Sequence, residues 1–143
     1  MRRRGRELAM QLLFQVDVGK RRLEEACATF DKYKRAPEKA RSFALQLAGG
    51  VMGHREDIDG KIREALKHWK FDRLAAVDTQ LMRIALYEMI HCDDIPVNIA
   101  INEAIELSKI YSGDKAAKFV NGVLGNLCLK YAPGKIEAKR TAR

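Results

Sequence analysis

The stretch Ile95–Leu127, IPVNIAINEAIELSKIYSGDKAAKFVNGVLGNL, decides the fold, because it spells two helices and the turn between them. Pro96 suits a first helical turn, where its missing N–H has no partner to lose. Val97, Ile101, Ala104, Ile105 and Ser108 then recur at steps of three and four, the spacing of one helix face. Gly113 is placed to end that helix in the left-handed conformation, and Asp114 to cap the next one through a free amide. Phe119, Val120, Val123, Leu124 and Leu127 form the second apolar stripe. Gly122 and Gly125 cost helix stability relative to alanine, so another backbone is expected to pack close against them. Asn102 and Asn121 lie in these apolar stretches, where an amide needs hydrogen-bond partners, and are expected to interlock the two helices.

Outward from this hairpin the same periodicity covers the chain. Leu8, Leu12, Leu13 and Val16 mark one face of a first helix over 6–18, with Gly19 as its stop. A short helix follows over 23–33. From Pro37 onward, Phe43, Leu47, Val51, His54, Ile58, Ile62, Leu66 and Trp69 continue at helical steps. Gly49, Gly50, Gly53 and Gly60 leave open whether this is one helix or two. Leu74, Val77, Leu81, Ile84, Ala85 and Tyr87 give another helix, ending near His91. No alternating strand of useful length occurs. The pattern predicts an all-α, single-domain helical bundle of six or seven helices over 1–132. Beyond it, 133–143 reads as a basic, disordered tail.

With 143 residues and 47% hydrophobic content, the chain is sized for one domain with a real core. No apolar run approaches the roughly 20 residues of a membrane span. In MRRRGRELAMQLLF, the polar residues Glu7 and Gln11 interrupt any signal-like segment, so a cytoplasmic protein is expected. Cys27, Cys92 and Cys128 lie scattered in helical patterns and read as buried free thiols. The net charge of +8 is concentrated at the ends. Arg2, Arg3, Arg4 and Arg6 have no acid among the first six residues. Over 130–143, Lys130, Lys135, Lys139, Arg140 and Arg143 face only Glu137. The segment between them sums to zero.

Chemistry for catalysis is missing. His54, His68 and His91 lack metal-ligand spacing, no glycine loop cradles phosphate, and Asp57, Asp59, Asp93, Asp94, Glu103 and Glu106 do not assemble a site. No enzyme, metal or cofactor is expected. Two sets of residues suggest binding instead. The arginine cluster at the start suits phosphate contact, because each guanidinium is permanently charged and forks onto oxygens. If the first helix reaches back through it, the cluster and Phe14 share one surface. In GDKAAKF, Lys115 and Lys118 lie beside Phe119, and an aromatic ring among cations is the chemistry of single-stranded nucleic acid binding. A core role for Phe119 and a solvated tail for the arginines are the alternatives.

An ordered series of blocks carries a resemblance. It runs RRRGRELA at the start, W-x-x-x-R-L-x-x-V-D over Trp69–Asp78, and L-x-R-I-A-L-Y-E over Leu81–Glu88. It continues with I-P-x-x-x-A-I-N-E-A-I-E-L-x-K-x-Y over Ile95–Tyr111 and K-F-V-N-G-V-L over Lys118–Leu124. The series closely resembles the bacterial NusB family of transcription antitermination factors, an all-helical family, from Arg2 to about Leu127. The resemblance implies RNA binding without catalysis. The expected partners are single-stranded boxA RNA, the ribosomal protein that doubles as NusE, and the antitermination complex on RNA polymerase. Carried over residue by residue, the RNA surface is Arg2, Arg3, Arg6, Phe14, Lys115, Lys118 and Phe119. Asp78 is a contact to the ribosomal protein or, within VDTQ, a helix cap. Phe14 stands where some members have tyrosine, and Lys115 where some have an acid. The rival readings are the RNA-recognition domain of a ribosomal RNA cytosine methyltransferase and a self-associating helical scaffold, with a homodimer as its expected state.

Overall fold

The computed structural model describes residues 1–67 and 69–133. They form α1 (Arg2–Asp17), α2 (Leu23–Thr29), α3 (Asp31–Arg35), α4 (Glu38–Gly53), α5 (Arg55–Leu66), α6 (Ala76–His91), α7 (Val97–Ser112) and α8 (Asp114–Tyr131). A single 3-10 turn at Phe71–Arg73 joins α5 to α6, and no strand occurs among the described residues. The bundle is all-helical as expected, but it exceeds six or seven helices because the segment over 23–33 is two. Phe30 takes extended angles, φ −86° and ψ 105°, as its ring packs on the core, and this interrupts the helical ladder. The long stretch from Pro37 also divides, at Gly53–His54.

Helix α6 is the axis of the molecule. Asp78 through Leu86, together with Glu88 and Met89, are buried in it, the mark of a helix enclosed on every side. Helices α1, α4, α5, α7 and α8 all pack against it. Leu8, Leu12, Leu47, Ile58, Ile62, Leu86, Leu124 and Leu127 lose essentially all their solvent exposure in the shared core. Each such side chain contributes about 1.5–3 kcal/mol of burial free energy. The α7–α8 hairpin lies where the sequence places it. Gly113 joins the helices at φ 98° and ψ 174°, a positive-φ region open essentially only to glycine, though not the left-handed helical one expected.

Several expectations fail for local reasons. Asp114 is the first residue of α8 and caps nothing; Gly113 holds the capping position, and no side chain bonds there. Beta carbons built on Gly122 and Gly125 would meet nothing within 4 Å, so no backbone packs on them. Close approaches occur instead at Gly50, where a beta carbon would stand 2.1 Å from Cζ of Tyr87, and at Gly5, where one would stand 2.8 Å from Cδ2 of Phe43 and 3.1 Å from the Ala40 carbonyl oxygen. Asn102 and Asn121 are exposed on the outer faces of α7 and α8 and interlock nothing. Trp69 leaves the apolar face of α5, because that helix ends at Leu66 and Lys67 turns the chain at φ 54°. Cys92 and Cys128 are buried thiols outside any disulfide, whereas Cys27 is only half-buried. No helix among the described residues is long and apolar enough to cross a membrane. Of the expected tail over 133–143, residues 134–143 lie outside the described ones.

Candidate nucleic-acid interface

Helix α1 begins at Arg2, so the arginine cluster is a helical turn and not a tail. Cations at a helix N-terminus oppose the macrodipole, and the first turn of α1 contains no acid. Acids from α1 itself and from the far side of the sequence compensate. Arg2 donates to Asp94 at 3.2 Å, Arg3 to Glu103 at 2.9 Å, and Arg4 to Glu7 at 2.9 Å. The side chains of Arg2 and Arg3 remain 53% and 66% exposed, so solvent-borne phosphates can reach both. Arg6 differs. It is 3% exposed, and its Nε and Nη2 donate to the two oxygens of Glu88 at 2.8 and 2.9 Å. Burial pushes the Glu88 carboxyl above its ordinary value, against the hydrogen bonds and charge of Arg6. Arg6 is therefore a core residue, separate from the exposed arginines with which the sequence groups it.

From this arm a seam runs between α1 and α7. Arg3 meets Glu103 in the first half of α7. In its last turn, the Tyr111 hydroxyl donates to Glu7 Oε2 at 2.7 Å and accepts from Gln11 Nε2 at 3.0 Å. The seam opens into a pocket of about 320 Å³ walled by Met10, Gln11, Phe14, Phe30, Val77 and Tyr111. Phe14 is a half-buried wall of this pocket, and Gln11 Oε1 is buried there without a donor.

Four and seven residues past Tyr111, α8 presents Lys115 and Lys118, both exposed. Phe119 beside them is half-buried. It packs on the core and meets Trp69 edge-on, with ring centroids 5.3 Å apart and planes at 69°. Trp69, expected inside, is 64% exposed and is the most accessible ring of this pair. The structure thus pairs Trp69 with Phe119 of a helix that also exposes Lys115 and Lys118, and sets Phe14 with Tyr111 at the end of the seam. Helical periodicity could not reveal Trp69, because it assumes a helix that has already ended.

Asp78 sits in the first turn of α6 at 6% exposure and does not cap it. Its Oδ1 accepts from Ser108 Oγ at 2.8 Å and from Ser112 Oγ at 3.1 Å, tying α6 to α7. Oδ2 receives no hydrogen bond from the described residues. A second buried charge centre escaped the sequence reading. Arg83 donates to both oxygens of Asp59, at 2.7 and 2.9 Å, and also to Asp17, which Gln80 and Arg55 reach as well. Burial alone would raise the Asp17 carboxyl. The hydrogen bonds from Arg83 and Gln80, with the charges of Arg83 and Arg55, hold it below its ordinary value. Among the described residues no group of three or more His, Cys, Asp or Glu could hold a metal. The rings of His54 and His91 stack at 4.0 Å.

Comparison with known proteins agrees with the all-helical fold. The NusB family model matches residues 3–128. The transcription antitermination protein NusB of Bacillus subtilis (strain 168) is 47% identical over 126 residues, covering 88% of this chain and 93% of that protein. The protein of the same name from Heliobacterium modesticaldum is 48% identical over 126 residues, and the match spans 61% of its length. Among solved structures, T. maritima NusB superposes with a TM-score of 0.85 at 31% identity, covering 96% of this chain and 97% of that one. A crystal structure of antitermination factors NusB and NusE in complex with dsRNA gives a TM-score of 0.81 at 27% identity, covering 91% and 97%. With its helices in the same arrangement and its sequence matched from Arg3 to Cys128, the chain belongs to the NusB family.

Proposed function

We propose that this chain is a transcription antitermination factor. In this reading it binds boxA-type single-stranded RNA together with the ribosomal protein NusE while ribosomal RNA is transcribed, as part of a complex on RNA polymerase. The observation that carries the proposal is the exposed Trp69 set edge-on to Phe119 beside Lys115 and Lys118. Rings that stack bases next to cations that meet phosphates bind single strands. The relatives named as antitermination proteins support it, and the similar structure containing NusE and dsRNA supports the pairing with that partner and with RNA. The family is one of antitermination factors and not of enzymes. Arg2 and Arg3 supply phosphate contacts along the seam, Phe14 lies at its end, and Arg6 contributes only by holding the arm in place. Asp78 meets the ribosomal protein through Oδ2, its unbonded oxygen, while Oδ1 stays with the two serines.

One titration tests both surfaces. Labelled boxA RNA and a scrambled control are titrated with the protein, with and without the ribosomal protein. Trp69→Ala is expected to cost about 1–3 kcal/mol of RNA affinity and to leave the salt dependence unchanged, with a melting curve as the control for Phe119 packing. Asp78→Asn keeps an oxygen for Ser108 and Ser112 but removes the charge. It is expected to weaken binding of the ribosomal protein and leave RNA binding alone intact. An unchanged RNA affinity in Trp69→Ala removes the stacking surface, and an unchanged partner affinity in Asp78→Asn removes the contact at Asp78.

A further inference from the structure

Among the described residues, exposed cations without an acid partner also lie away from the N-terminal arm. Each N-terminal arginine has an acid against it. The segment over 20–41, hidden within a neutral total, carries eight basic residues and four acids. Four of those cations, Lys32, Lys34, Arg35 and Lys39, are exposed on α3 and the first turn of α4. None of the four has a carboxylate within ion-pair distance among the described residues. With Asp31 and Glu38 exposed on the same two elements, the corner keeps an excess of positive charge, which a polyanion neutralises.

Two further observations place the corner relative to the seam and fix its scaffold. Lys32 lies on the rim of the same pocket as Phe14 and Tyr111, so the corner begins where the α1–α7 seam ends. Arg41 Nη1 donates to the Lys34 carbonyl at 3.1 Å, which fixes the end of α3 against the start of α4 and gives the cations a set scaffold. We propose that the α3 corner, Lys32, Lys34, Arg35 and Lys39, is a second phosphate-binding surface that carries the backbone of single-stranded RNA past the Phe14 pocket, beyond the segment held at the arm and α8. The proposal rests on the RNA-binding reading above and extends it to a longer strand. Contact at this corner is sequence-independent, because lysine and arginine on phosphate oxygens read charge and not bases.

The test compares the wild-type protein, bound to the ribosomal protein, with a variant carrying Lys32→Gln, Lys34→Gln, Arg35→Gln and Lys39→Gln. Each is titrated with a short RNA that covers the recognition element and with one extended by about ten nucleotides on either side. Each phosphate neutralised on a single strand adds about 0.7 to the slope of log affinity against log salt. The extended RNA is expected to give wild type a steeper slope than the short one, by about 1.4–2.8 for two to four contacts. The variant is expected to lose that increment while binding the short RNA normally. Equal slopes for wild type and variant on the extended RNA overturn the proposal. So does a variant that loses only its affinity for the ribosomal protein, since the corner would then face a protein. Failure of wild type to bind either RNA removes the RNA reading itself, and this inference with it. A melting curve of the variant confirms that α3 still packs.

Discussion

Arg6 and Glu88 sit at core positions in their own helices. Arg6 shares a helix face with Ala9, Met10 and Leu13, and Glu88 with Leu81, Ile84 and Ala85. A charge in core register can stay there only if an opposite charge meets it, and here the two meet bidentately. Replacing Arg6 by Met leaves Glu88 buried and unpaired, and a loss of about 3–5 kcal/mol in urea unfolding is expected. Adding Glu88→Leu removes the stranded charge and is expected to recover most of that loss, since an apolar pair of similar volume is often neutral or better. If the single variant unfolds at the wild-type midpoint, Glu88 is not enclosed as described. The sequence reading groups Arg6 with the phosphate-binding arginines and misses its partner, because 82 positions separate them and only the packing of α1 on α6 brings them together. The same holds for Arg83 with Asp59 and Asp17. Lone charged residues at helical core positions announce that a buried pair exists without saying which two residues form it.

At the scale of elements, periodicity located every long helix and misjudged the points where helices stop or touch. The α7–α8 hairpin was readable because a proline, a glycine and two apolar stripes all agree there. The end of α5 was not, because the apolar spacing runs on to Trp69 after the helix has turned at Lys67. Glycines were ambiguous for a related reason: composition shows that a beta carbon is missing but not what would occupy its place. The structure separates two cases. Gly50 makes room for the Tyr87 ring between α4 and α6, whereas Gly122 faces open space on α8. Gly50→Ala is expected to destabilise by about 1–3 kcal/mol through overpacking. Gly122→Ala is expected to stabilise by up to about 1 kcal/mol through helix propensity. Thermal melts of the two variants check the contrast, and a stabilised Gly50→Ala would mean that α4 and α6 stand further apart than described.

At the scale of the whole molecule, charge is arranged against the sequence order. The arm is the most basic part of the chain, yet Asp94 and Glu103 from the start of the α7 region stand against its exposed arginines. Exposed ion pairs of this kind contribute little to stability. Their effect on a ligand is larger, because each carboxylate lies where an incoming phosphate must come close to it. On the RNA-binding reading proposed above, the pairs moderate the arm: they hold Arg2 and Arg3 in place and are expected to lower its affinity for RNA of any sequence. On that reading, specificity is left to contacts with base edges and to the protein partner, because stacking on an aromatic ring tolerates every base. Removing the two charges with Asp94→Asn and Glu103→Gln tests this. At a separation of about 7 Å, a carboxylate and a phosphate repel by roughly 0.6 kcal/mol in water. The affinity for RNA is expected to rise about two- to threefold per carboxylate at low salt and by less once the Debye length shrinks to about 8 Å at physiological ionic strength. The gain should be equal for boxA and scrambled RNA, so that their ratio is preserved while both bind more tightly. Filter binding across a salt series measures it. A gain confined to boxA would place the two acids in base recognition, and no gain at all would mean that phosphates never approach the arm.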